Sequence, residues 1–355
     1  MFKMNGSSEM KNYPWLNDFH WDNNTTIYDI NDAFVLWNLG GIILISTLIP
    51  IGFFGNSLVF WIYSKKFRVS SYRTYVLCLA AIDMLSTVIC MPYLLIHIRY
   101  PTIFPSGDFC KIGALITVYV NFACGFTLII IAIHRYRKVC RRQHKQITDK
   151  QAKINCVIAQ LVSLFFAIPA PIIYGDSTIQ IGINNLNGTY CSTDDRVKGY
   201  NIHGPYYILL NVVVICSTVV LAVLYFFVIK EVRSKTIART SESEEHHQQV
   251  VSKTTLTLFL VTCVYCVTYL PHCLLRAVEH STVLQYNKLS FSAGFAFNTF
   301  IWSFFINNVT NPFVYAYADR RFRKQTQKIF LRLCCKGKEA DWELKTSTTY
   351  SKSST

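Results

Sequence analysis

Arg135 stands at the end of an apolar run, "TLIIIAI" at 127–133, between His134 and Tyr136. A guanidinium cannot shed its proton and presents five donors in a fixed fork, so it seeks carboxylates, carbonyls or π-faces. Asp83 lies in "LCLAAIDMLSTVICM", where a lone carboxylate needs a partner, an ion or a proton. Tyr269, His272, Arg276 and Glu279 recur at helical i, i+3 and i+4 spacing and so share one face of a helix. These groups can recognise and switch. None has the form of bond-making machinery: there is no HExxH, and no pair of apolar-segment carboxylates that could divide acid and base work.

The elements that must hold them are membrane helices. Of the 355 residues 52% are hydrophobic and only 15% charged, against about 25% charged in soluble domains. A net charge of +15 could point to nucleic acid, but no basic stretch carries a nucleic-acid motif, so none is expected as a partner. Seven runs are long enough to cross a bilayer, near 36–63, 73–97, 111–138, 154–174, 205–230, 254–278 and 291–317. Pro50, Pro92, Pro169, Pro171, Pro271 and Pro312 lie within them and can kink a helix where neighbours satisfy the freed carbonyl. The expected class is an all-α membrane protein: a seven-helix bundle over 36–318, an extracellular glycosylated tail over 1–35, an amphipathic cytoplasmic helix over 319–333 and a disordered cytoplasmic tail over 334–355.

Most of the 35 lysines and arginines fall on one side if the amino terminus is outside, as the positive-inside rule requires. This makes the chain a multi-pass protein with an outer amino terminus and a cytoplasmic carboxy terminus, and the expected location is the plasma membrane. Sequons at Asn5, Asn23, Asn24 and Asn187 then lie outside. Asn308-Val309-Thr310 lies within a span and is read as irrelevant to glycosylation. Of 13 cysteines, only Cys110 and Cys191 lie clearly outside, where oxidation is permitted. Ile179, Ile181 and Ile183 alternate, 184–188 offers a turn, and Thr189-Tyr190 resume strand propensity, which predicts a β-hairpin in the second extracellular loop. A Cys110–Cys191 bridge would pin that hairpin over the bundle; two free thiols are the alternative.

"GNSLV" at 55–59, "LAAID" at 79–83, Cys110 with "HRY" at 134–136, "YLP" at 269–271, "NPFVY" at 311–315 and "RRFRK" at 320–324 occur in order. In this the chain resembles a rhodopsin-like (class A) G-protein-coupled receptor over its whole membrane portion. The resemblance implies that His134, Arg135 and Tyr136, with Tyr225, Asn311, Pro312 and Tyr315, carry activation and G-protein coupling. It also implies that Asp83, Asn307 and Asn311, with Cys124 nearby, could hold a sodium ion; no cofactor is required. Several positions depart from the family. His134 replaces the acid beside the arginine, Tyr269 replaces the sixth-span tryptophan, and Ser217 stands for the fifth-span proline. The sixth-helix acid that often holds the arginine is replaced by Val251.

The seventh span carries no lysine between Lys288 and Arg320, so retinal is excluded. No Asp or Glu lies between Cys110 and His134, and Thr117 occupies the amine-binding position, which argues against a biogenic amine. Tyr93, His97, Thr117, Asn121, Tyr269, His272, Arg276 and Glu279 are the expected ligand-binding residues, and the resemblance leans to the neuropeptide-receptor branch. Arg276 also suits a small anionic ligand such as a lipid acid or nucleotide. A transporter or channel, from another class, would show repeats, paired intramembrane charges or a filter, and the sequence has none. Cys334 and Cys335 are candidate palmitoylation sites. The tail's serines and threonines resemble sites for receptor kinases and arrestin, and the basic inner loops favour anionic membrane lipids.

Overall fold

The computed structural model describes residues 14–180, 186–237, 259–275 and 289–334. Among these, five helices are long and apolar enough to cross a membrane: α2 (Leu39–Lys66), α3 (Ser71–Arg99), α4 (Gly107–Cys140), α5 (Asp149–Ile173) and α6 (His203–Ile237). A short helix, α1 (Ile27–Trp37), precedes them. A shorter apolar helix, α7 (Phe259–Leu275), follows, then α8 (Phe291–Phe300), α9 (Phe305–Ala318) and α10 (Arg320–Cys334).

Local chemistry sets many of the ends. Thr148 and Gln151 exchange hydrogen bonds in a capping box that starts α5. Ser70 accepts from the Arg73 amide at the start of α3, and Asp319 accepts from the amides of Arg321 and Phe322 at the start of α10. Within α3, Ser86–Cys90 form a π-helical turn just before Pro92. That turn absorbs the carbonyl a proline cannot satisfy.

α4 is the central post. At 34 residues it reaches about 50 Å, longer than the hydrocarbon layer, and it packs on α3, α5 and α6. α2 packs on α3, α8 and α9. Val59, Tyr75, Leu79, Val120, Leu128, Leu221, Val261 and Phe305 share one buried core. Large apolar side chains also point outward, with Phe54 and Phe165 each 70% exposed. A surface that apolar suits lipid rather than water.

Three elements differ from their sequence expectation. The hairpin starts earlier: β1 (Tyr174–Gln180) pairs antiparallel with β2 (Asn187–Thr193), so Tyr174 belongs to a strand rather than to the fourth span. Residues 181–185, which include Ile181 and Ile183, lie outside the described residues. The final apolar run is broken at 301–304 between α8 and α9, although its proline, Pro312, sits inside α9. Residues 14–35 also belong to the packed structure, since Trp15, Leu16, Ile30 and Phe34 are buried. Those apolar residues are diluted by Asp, Asn and Thr, which masks them in a composition scan.

Candidate functional site

At the hairpin end of the bundle, Cys110 of α4 and Cys191 of β2 are joined in a disulfide, with their Cα atoms 5.5 Å apart. Asp176 lies opposite Cys191 in the strand register. Segment 102–104 adds to the hairpin, since the Thr189 amide donates to the Thr102 carbonyl at 2.8 Å and the Phe104 amide to the Thr189 carbonyl at 2.9 Å. Asp194, just past β2, accepts from Arg196 at 2.8 and 3.0 Å and lies 3.8 Å from Lys111 of α4. The Arg196 hydrogen bonds hold its carboxyl at about 2, well below the usual range and against the upward push of burial.

The expected ligand-binding residues that are described divide into three groups. Tyr93 and His97 join an aromatic cluster with Phe104 and Phe109 beneath the disulfide. The Tyr93 ring lies where a Cβ on Gly113 would come within 1.8 Å, so glycine is required there for α3 to meet α4. Thr117, Asn121 and Tyr269 meet deeper in the bundle. The Tyr269 hydroxyl donates to Asn121 Oδ1 at 2.9 Å, and Asn121 Nδ2 donates to the Thr117 carbonyl at 2.9 Å. Tyr269 also lies against Tyr265, with ring centres 4.2 Å apart. His272 Nδ1 sits 2.6 Å from the Ile301 carbonyl, in the break between α8 and α9, and Ser303 donates to the Thr268 carbonyl. Arg276 and Glu279 lie outside the described residues.

Midway along the bundle, Asp83 is fully buried. Asn311 Nδ2 donates to its Oδ2 at 2.6 Å and Asn308 Nδ2 to its Oδ1 at 2.9 Å. Asn307 turns instead to Cys124 Sγ at 3.1 Å. Asn56 Nδ2 donates to the Gly52 and Asn308 carbonyls. The sequence reading considered Asn308 only as a sequon; one helical turn from Asn311, it shares the face that meets Asp83. Oδ1 of Asn307, Oδ1 of Asn311 and Oγ of Ser86 are buried without a hydrogen-bond partner among the described residues. With the Asp83 carboxylate these are hard oxygen donors, a set that fits sodium, whereas the Cys124 sulfur does not.

At the opposite end Arg135 is also fully buried. None of its three side-chain nitrogens has a hydrogen-bond partner among the described residues. Its Cζ lies 5.1 Å from the Tyr72 ring centre. Tyr63 donates to Asp319 Oδ2 at 2.8 Å, so its single proton is used and Tyr72 must donate to Tyr63 across their 3.1 Å contact. Tyr72, Tyr63 and Asp319 thus join α3, α2 and the start of α10 beside the buried cation. The His134 ring packs on Tyr75 at 5.3 Å, and the half-buried Tyr136 faces Phe227 at 6.3 Å. Tyr225 and Tyr315 are both buried. The sequence reading missed Tyr72, Tyr63 and Asp319, because their roles arise from three separate helices. Val251 lies outside the described residues.

Comparison with known proteins agrees with this geometry. The family model described as "7 transmembrane receptor (rhodopsin family)" matches residues 55–315. Neuropeptide FF receptor 2 of Mus musculus is 25% identical over 347 residues, covering 93% of this chain and 82% of that protein. Neuropeptide Y receptor type 2 of Cavia porcellus is 25% identical over 288 residues, covering 78% of this chain and 72% of its own length. 5-Hydroxytryptamine receptor 4 of Homo sapiens is 23% identical over 323 residues, with coverage of 82% and 78%. The chain belongs to the rhodopsin family of seven-transmembrane receptors, a family of receptors and not of enzymes.

Proposed function

We propose that this chain is a plasma-membrane receptor that binds an extracellular peptide and activates a heterotrimeric G-protein. The observation that carries the peptide reading is the centre of α4. An amine ligand needs an acid there, and the chain offers Thr117 and Asn121, with Asn121 engaged by Tyr269. Neutral hydrogen-bonding groups of this kind suit a peptide backbone and its termini. The names of two relatives, both neuropeptide receptors, support the same reading.

In this reading α7 belongs to the sixth span, α8 and α9 together form the seventh, and the hairpin end faces outward. Asn23, Asn24 and Asn187 are exposed at that end, which suits glycosylation. The inner face is built by Arg135, Tyr136, Tyr225 and Tyr315. α10 has phenylalanines, leucine and isoleucine interleaved with Arg320, Arg321, Arg323, Lys324 and Lys328, so it suits a position along anionic headgroups. Cys334 and Cys335 would anchor its end by palmitoylation. Kinase and arrestin sites are assigned to the tail, which lies outside the described residues.

Sodium at Asp83 would supply charge neutralisation in the middle of the bundle. Asp83 would hold it with the oxygens of Asn307, Asn311 and Ser86 that have no hydrogen-bond partner among the described residues. The test of the function is a screen of amidated and free-acid peptides against surface-expressed receptor, read by nucleotide exchange on co-expressed G-proteins. An active peptide should lose potency on Arg276→Ala at matched expression. Activity confined to lipid acids or nucleotides would replace the peptide reading.

A further inference from the structure

The hairpin end carries a second apolar site that the family resemblance does not assign. Phe34 and Trp37 of α1, Ile179 and Tyr190 of the hairpin, and Phe297 of α8 form one buried cluster, with the more exposed Phe291 of α8 at its edge. Trp37 reaches α8 only because residue 294 is glycine: a Cβ there would lie 2.0 Å from the indole. Its Nε1 donates to the Phe291 carbonyl at 3.1 Å. These side chains line a cleft between the first helix, the hairpin and the last span, beside the outer mouth of the bundle.

The cleft is filled by the chain's own amino-terminal segment. The Trp15 ring sits 4.8 Å from Trp37, 5.1 Å from Phe34 and 6.0 Å from Phe291. Trp15 and Leu16 are only 2% and 3% exposed. Trp21 Nε1 donates back to the Leu16 carbonyl at 2.8 Å, which folds the segment into a short loop. The link to α1 is the turn 22–26, in which Asn23 and Asn24 are exposed. Trp15 meets the cluster through the faces and edges of three aromatic rings, contacts that the side chains of a ligand bearing the same groups would reproduce.

We propose that this cleft is the subsite for an adjacent aromatic–aliphatic pair of the extracellular peptide ligand, and that Trp15 and Leu16 occupy it as an intramolecular competitor. The proposal rests on the peptide reading above and adds to it the side chains the ligand must carry. A segment tethered this closely acts at an effective concentration on the order of millimolar. A free peptide of equal intrinsic affinity is therefore excluded from wild-type receptor at ordinary concentrations.

The probe is a fluorescent synthetic peptide of residues 11–21, KNYPWLNDFHW, applied to full-length receptor at matched surface expression. The Trp15→Ala/Leu16→Ala variant should bind it saturably, at least tenfold more tightly than wild type. The same peptide with the tryptophan at position 15 replaced by alanine should not compete. Should the double variant fail to reach the surface, a protease site placed in 23–26 and cut after delivery frees the same cleft. Equal binding by wild type and variant, no binding to the opened cleft, or full competition by the alanine peptide would overturn the proposal. Because binding is read directly, loss of this site leaves peptide-driven G-protein activation to stand or fall separately.

Discussion

The Arg135 guanidinium lies over the ring of Tyr72, 5.1 Å from its centre, without a hydrogen-bond partner among the described residues. A π-face thus takes the place of the acid that His134 and Val251 fail to supply. A desolvated cation–π contact contributes roughly 2 kcal/mol, and about 1.4 kcal/mol shifts a two-state ratio tenfold. Tyr72→Leu should therefore raise ligand-free signalling about thirtyfold, whereas Tyr72→Phe, which keeps the ring, should raise it far less. Matching increases in the two variants would show that the hydroxyl link to Tyr63, not the ring, restrains the arginine.

His134→Asp offers a second route to the same cation. A carboxylate beside Arg135 gains an ion pair in a buried setting. Ligand-free signalling should fall below wild type at matched expression. An equal or higher signal would mean that the carboxylate does not reach the guanidinium.

Most helices were legible in the sequence because bilayer length and the positive-inside rule are long-range signals that single residues do not blur. The break at 301–304 was not. At the break His272 meets the Ile301 carbonyl and Ser303 donates to the Thr268 carbonyl of α7, partners distant in the chain, while the visible helix breaker, Pro312, stays within α9. In the site, Asp83 and Arg135 stood out because a charge in an apolar run is costly. Asn308 and Tyr72 did not, since a polar or aromatic side chain reveals its role only through a partner distant in the chain. For His272 the spacing gave the helix face, and only the structure adds that its Nδ1 lies 2.6 Å from the Ile301 carbonyl.

Asp83 and its amides predict a sodium effect. Wild-type receptor should melt higher in sodium chloride than in the chloride of a large organic cation at equal ionic strength, because a bound ion stabilises the state that binds it. Asp83→Asn should abolish the difference. Identical melting of wild type in the two salts would leave a hydrogen-bond network without an ion.

The disulfide closes a long loop and should stabilise by about 2–4 kcal/mol. Cys191→Ser should therefore lower the melting temperature and surface expression together. Finding Cys110 and Cys191 both alkylated in intact surface receptor would contradict the bridge.

Asp194 gives the hairpin an acid dependence. Its carboxyl is held at about 2 by Arg196, below an unfolded value of about 3.9. That contribution is present in full above the unfolded value and is lost as pH falls through about 2. Wild type should lose thermal stability more steeply than Asp194→Asn between about pH 4 and pH 2. Parallel slopes would show that the Arg196 contact does not stabilise the fold.

The most direct test of the receptor account is G-protein nucleotide exchange in membranes carrying wild type or Arg135→Ala at equal surface density, challenged with the peptide panel. At least one peptide should stimulate exchange through wild type and lose that effect in Arg135→Ala while still binding. Stimulation that survives intact in Arg135→Ala, or a response to amines in place of peptides, would contradict it.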